Sequence, residues 1–291
     1  MKLINPTVEI MPQEKGLTGI YKQIERAGRT CYKSEDKITE NSCIEFTDRM
    51  IKSGHTAMLE HGTVYMSVPI EDWEADSHEW EYMFPEGCPW ISMDCDGRFH
   101  LITTNFRHII EREVGVETMT KYLCNPINGH ERRVTVRFTC DRGVSHELVR
   151  HRVFSFAQES TRYCNYSKDK FGNELTFIIP SWLDLTEEEA NSLLPLVYAG
   201  AEIKEEAKPH VIFENTLSIC EHSYLYMLEN GYTAQQARQV LPNALKTEVV
   251  MTGFVSDWKH FFDLRCAPNA HPDMQVVANK LKQQFVDNNL L

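Results

Sequence analysis

The chain has 291 residues, 42% of them hydrophobic and 25% charged, with a net charge of −12. Its apolar content is ample for a buried core in one large domain or two small ones. The acidic balance excludes a general nucleic-acid or membrane-surface binder, which needs a basic field to neutralise phosphates, so any nucleotide site must be locally basic. The N-terminal residues Met1 to Pro6 show no h-region or cleavage site, and no apolar run approaches a membrane span, so a cytoplasmic protein is expected. The nine cysteines are odd in number and contain no C-x-x-C pair, and read as reduced thiols.

In chain order, Leu17 to Tyr32 and Thr39 to Ser53 carry helical periodicity, through Ile20, Ile24 and Ala27 in the first and Ile44, Phe46, Met50 and Ile51 in the second. Gly54 stands where a C′ glycine ends the second helix. His55 to His61 reads as a polar turn. Two histidines and a glutamate invite a metal reading, but no third ligand cluster accompanies them and no metal site is expected. Thr63 to Pro69 alternates like a strand. From Ile70 to Glu131 the chain reads as an insertion: an acidic, tryptophan-rich stretch from Trp73 to Trp90, a strand-like Phe99 to Thr104 and a helix-like Asn105 to Leu123. Exposed Trp and Tyr would favour a subunit contact there.

Arg132 to Cys140 alternates Val134, Val136 and Phe138 against Thr135, Arg137 and Thr139, a half-buried strand. Asp141-Arg142-Gly143 turns the chain into a central segment. There Ser145 as N-cap and the spacing of Val149, Val153 and Phe156 predict a short helix, with Glu147, Arg150 and His151 on another side. Ser155 and the run Gln158, Glu159, Ser160, Thr161, Arg162, Tyr163 read as a loop whose hydroxyl, amide and guanidinium groups suit an anionic ligand. Leu175 to Ile179 is a short strand. Leu185 to Lys208 and His210 to Asn230 are long helices, expected to pack as an antiparallel pair. Thr233 to Leu241 is a short helix ended by Pro242, Thr247 to Val255 a strand, Asp257 to Leu264 a helix, and Ala270-His271-Pro272 opens a last helix to Val286. Cys164 and Cys266 lie beside these segments; with no base at a supporting spacing they read as small buried hydrophobes before nucleophiles.

Arg150-His151-Arg152, seven residues, then Ser160 and Arg162-Tyr163 together resemble the signature of the flavin-dependent thymidylate synthases, the ThyX family. Gly54 to His61 resembles that family's G-H-x-x-x-x-E-H run, Ala237-Arg238 with Leu241-Pro242 its A-R-x-x-L-P segment, and Leu264-Arg265 its L-R pair. The resemblance covers about two thirds of the chain, to Val68 and again from Arg132. It implies an α+β fold, a mixed and largely antiparallel sheet packed by long helices with an insertion after the first strand, in one catalytic domain spanning residues 1–291 with the elaboration at 70–131. It further implies FAD reduced by NADPH, methylenetetrahydrofolate as carbon donor, methylation of dUMP to dTMP, and a homotetramer with shared active sites. Carried over by motif, Arg265 is the catalytic residue at the uracil ring. Glu147, Arg150, Gln158, Glu159, Ser160, Thr161, Arg162 and Arg238 face dUMP, and His55, Arg150, His151, Arg152, Gln158 and His260 face FAD. No G-x-G-x-x-G opens a βαβ unit, so no Rossmann crevice is expected. The chain departs from the family at Ala157-Gln158, where many members read N-E, at Ala57, where a hydroxyl residue is common, and at Phe254 and Ser256, where many place Asn and Arg. Two further outcomes stay open: a relative acting on dUMP with a different product, such as hydroxymethylation, or one that binds nucleotide without turnover.

Overall fold

The computed structural model describes residues 1–183, 185–197 and 209–291. Strands β1 (Lys2–Ile4) and β2 (Thr7–Ile10) precede helices α1 (Gly16–Tyr32) and α2 (Ser42–Lys52). A short 3-10 turn, Thr56–His61, leads into β3 (Thr63–Pro69). Then come α3 (Ile70–Ala75), α4 (Ser77–Met83), β4 (Ser92–Cys95), β5 (Phe99–Asn105), α5 (Phe106–Glu111) and α6 (Val116–Tyr122). β6 (Arg133–Asp141), α7 (Arg142–Leu148), β7 (Ser155–Gln158) and β8 (Thr176–Ile178) follow. The last part holds α8 (Glu187–Val197), α9 (Pro209–Glu229), α10 (Ala234–Ala237), β9 (Lys246–Phe254), α11 (Val255–Arg265) and α12 (Pro272–Asp287). The predicted helix over 185–208 is present to Val197, and its remainder lies outside the described residues.

The described strands form an antiparallel sheet in the order β2-β6-β9-β7, a second antiparallel sheet β3-β5-β4, and a parallel pair β1-β8. The fold is therefore α+β, as expected. β6 and β9 run in register from Arg133↔Phe254 to Asp141↔Lys246. β9 is buried from Thr247 to Phe254 because both faces are covered. Val249 and Met251 pack with Trp258, Phe261, Phe262, Met274, Leu281 and Phe285 of α11 and α12, while Val250 joins Met11, Ala27 and Ala157 on the α1 side. Among the described residues no helix is long and apolar enough to cross a membrane.

Two expectations need correction. Trp73 and Trp80 are not exposed interface residues: they are buried (8% and 5% exposed), in one core with Ile20, Ile24, Phe46 and Ile102. Of the Trp and Tyr side chains in that stretch, Tyr82 and Trp90 stay open to solvent. The central helix also ends about where it was expected to begin. Asp141 caps α7 by accepting a bond from the Val144 amide at 2.8 Å, and the helix stops at Leu148. Val149 and Val153, expected on its apolar side, are 40% and 51% exposed. Ser155 and Gln158, read as loop, and Phe156, read as helical, instead fall in a strand added to β9 with Ser155↔Thr252 through Gln158↔Val249. Pairing with a fully buried strand outweighs the local helical spacing.

Candidate active site

The motif is delivered by α7, a turn, and β7, all packed beside β9. His151 is buried in the turn, its amide bonded to the Leu148 carbonyl at 3.1 Å and its ring 5.0 Å from that of Phe261. Phe154 then lies across β9 at Gly253, where an added Cβ would fall 2.4 Å from its ring. Only glycine lets the backbone of β9 come this close, and Phe154 in turn packs edge-on against Trp258 at 4.7 Å.

Arg265, the last residue of α11, closes the group from the far end of the sequence. Its Nη1 donates to the Glu147 carboxylate at 2.6 Å, its Nη2 to the Glu147 carbonyl at 3.0 Å, and its Nε to His151 Nε2 at 2.8 Å. Because Nε of an arginine only donates, Nε2 of His151 accepts, and its proton sits on Nδ1. Burial lowers the His151 pKa to about 4, with the nearby Arg265 and His260 adding to it. The imidazole is thus neutral at pH 7.

Gln158 donates to Ser145 Oγ at 3.0 Å and Thr247 Oγ1 at 3.3 Å, which fixes its amide across β7, α7 and β9. Ser145, expected as the N-cap, lies inside α7 and donates to the Arg142 carbonyl. Glu159 is buried, and both carboxylate oxygens are engaged, one by Tyr166 Oη and one by Lys246 Nζ, each at 2.9 Å. Lys246 also reaches Glu248 at 2.6 Å, which Lys33 meets at 2.8 Å. Burial pushes Glu248 up, but the charges and hydrogen bonds of these two lysines outweigh it and hold the carboxyl at about 2. With the Ser160 amide bonded to the Cys31 carbonyl at 3.0 Å and the Glu159 amide to the Glu248 carbonyl at 2.9 Å, the loop is anchored to α1 and β9. Sequence reasoning missed Lys33, Lys246 and Glu248; the alternation of Lys246 and Glu248 at the start of β9 was the one signal, and Lys33, just after α1, carried none.

The structure therefore brings together Glu147, His151, His260 and Arg265, and separately Gln158 at the end of β7 with Glu159, Ser160 and buried Thr161 on the loop after it. Arg150, Arg152 and Arg162 are exposed on this segment, Arg162 over the Tyr163 ring at 5.2 Å. His55 is exposed ahead of the 3-10 turn, and Arg238 is half-buried on the segment before β9, with no bond between either and the Arg265 group among the described residues. His61 is buried, its Nδ1 2.8 Å from Thr252 Oγ1, so it braces β9. Cys164 is buried, and burial pushes its thiol up to about 12, with Glu159 adding, which disfavours a thiolate there. Burial also raises that of Cys266.

Residues 130–288 match the family model described as thymidylate synthase complementing protein. The chain belongs to that family. It is 31% identical over 137 residues to the flavin-dependent thymidylate synthase of Geobacter sulfurreducens, covering 47% of this chain and 49% of that one. It is 29% identical over 190 residues to that of Pyrococcus furiosus, covering 63% and 67%. The chain thus spans between about half and two thirds of the length of these curated relatives. Among solved structures, a UMP/dUMP methylase, PolB, from Streptomyces cacaoi aligns over 99% of this chain and 93% of its own at 15% identity, with a TM-score of 0.42.

Proposed function

We propose that this protein is a flavin-dependent thymidylate synthase that methylates dUMP to dTMP, with methylenetetrahydrofolate as carbon donor and NADPH as reductant through FAD. The observation that carries the reading is the convergence of Arg265 on Glu147 and His151, 118 and 114 residues away in sequence, within the matched family region. Carbon 5 of uracil is a poor nucleophile. A guanidinium held by three donor bonds and largely covered, its side chain 18% exposed, stabilises negative charge on the ring oxygens as that carbon attacks, so no cysteine adduct is needed. Neutral His151 orients this guanidinium without diluting its field.

The exposed guanidiniums of Arg150, Arg152 and Arg162 form no ion pair among the described residues, a donor set that fits phosphate esters. Arg150, Arg162, Ser160 and Arg238 would receive the dUMP phosphate and sugar, with Gln158, Glu147 and Thr161 lining the loop. Arg150, Arg152, His55, His151 and His260 would hold FAD, which when bound supplies the reducing equivalents that complete the methyl group. Glu159, with both oxygens engaged, positions the Ser160 loop and does not bind substrate through its carboxylate. We read the chain as one cytoplasmic catalytic domain assembling as a homotetramer. The core shared by residues 70–131 with α1 and α2 supports the single domain.

The purified protein should show a flavin absorbance spectrum, or acquire one on reconstitution with FAD. It should bleach anaerobically with NADPH and yield dTMP. A colourless protein that binds dUMP but not FAD would refute the synthase reading and make Ala57, Phe254 and Ser256 the first positions to revert. A hydroxymethylated product would refute the assigned reaction while keeping the substrate. A dimer or monomer in light scattering would refute the tetramer.

A further inference from the structure

A cavity of about 260 Å³ lies where the segment before α1 meets Tyr65 of β3, residues 123–126, the start of β6 and the segment after α12. It shares no residue with the Arg265 group or the motif loop. Ile10, Leu123 and Leu290 give it apolar walls, and Lys15, Arg132 and Arg133 give it cations. Its one acidic residue, Glu14, is committed to Lys22 at 2.7 Å. None of the three cations has an ion-pair partner among the described residues, in a chain whose net charge is −12.

Arg133 is the least satisfied of the three. Its Nη1 donates to the Glu60 carbonyl at 3.2 Å, while its Nε is buried without an acceptor. Burial lowers its pKa to about 10. The carboxylates whose charge it feels, Glu60 and Asp257, make no direct ion pair with it: Glu60 holds Arg107 at 2.6 Å, and Asp257 accepts the Phe254 amide at 3.2 Å. Arg133 is half-buried over the Phe254 ring, 5.6 Å from its centroid, and a cation partly withdrawn from water with no direct ion pair gains from an arriving anion. A concave space with apolar walls and a few convergent polar groups is the usual form of a small-molecule site, and this one is smaller than the roughly 300–1,000 Å³ of drug-sized ligands.

We propose that this cavity binds a small organic anion, its carboxylate or phosphate against Arg132, Arg133 and Lys15 and its apolar body against Ile10, Leu123 and Leu290. The proposal does not depend on the synthase reading. Calorimetric titration of the whole protein with benzoate and with phenyl phosphate tests it, with inorganic phosphate and neutral benzyl alcohol as controls. One of the two aromatic anions should saturate below about 10 mM, more tightly than inorganic phosphate, and benzyl alcohol should not. The double variant Lys15→Gln/Arg132→Gln, both at exposed positions, should weaken binding about tenfold or more with dUMP binding unchanged. A carboxylate preference would assign a carboxylic acid as the ligand, and a phosphate preference a phosphomonoester. No saturation by either aromatic anion, equal binding of benzyl alcohol or of inorganic phosphate, or full retention in the folded double variant would overturn the proposal.

Discussion

Arg265 uses all three of its nitrogens inside the protein, two on Glu147 and one on His151. Arg265→Ala should lower kcat by about 10²–10³-fold, the equivalent of roughly 2.7–4 kcal/mol for one lost charge-stabilising donor, in a steady-state assay of dTMP formation. Near-normal turnover would remove its assigned role. Glu147→Gln keeps the shape but loses the ionic half of the 2.6 Å contact, so it should lower kcat less than Arg265→Ala does. At Gly253 the test is steric. Gly253→Ala sets a methyl against Phe154 and should destabilise by about 1–3 kcal/mol in urea unfolding. The identities of Arg150, Arg162 and Arg265 were readable because a motif is a string of residue types. Their bonding was not, because nothing local in Leu264-Arg265 specifies a partner more than a hundred positions upstream.

The same distinction separates the elements. β3 occupies the predicted residues 63–69 and β6 and β9 lie within one residue of prediction, since each alternates or runs apolar over at least seven residues. β1, β2, β4 and β7 have three or four residues each and carry too few periods to register. β7 was further disguised by the helical spacing of Val149, Val153 and Phe156, and only β9 across the sheet decides its state. The Glu159 loop behaves as an electrostatic clamp. Lys246→Met would leave the buried Glu159 carboxylate with Tyr166 alone and should cost about 3–5 kcal/mol, read from denaturant midpoints. Adding Glu159→Gln should restore part of that loss. If Lys246→Met changes stability by only a few tenths, the loop is not held this way.

For the molecule as a whole, buried histidines set the acid limit. Burial brings His151 to about 4 and His61, with Arg133 nearby, to about 3, against 6.5 for each unperturbed. Below pH 6.5 the unfolded chain takes up protons that the folded one refuses, so stability is full above 6.5 and falls as the pH drops toward 4 and then 3. Glu248 acts in the same direction lower down, between 4.5 and about 2. Unfolding midpoints should therefore fall between about pH 7 and pH 4, and His151→Gln should flatten that slope; an unchanged slope would mean that His151 titrates freely.

The place of β9 also matters while the protein is being made. It lies between β6 and β7, yet it is the last of the four strands to leave the ribosome. Until Phe254 emerges, the nascent chain carries β6 and β7 as two unpaired edges, a state prone to sticking to itself or to other chains. Chaperone capture between Gln158 and Phe254 should raise the soluble yield, and slowed translation over that stretch should lower it. A chain truncated after Leu245 should precipitate, its motif complete in sequence but without the strand that gives it shape.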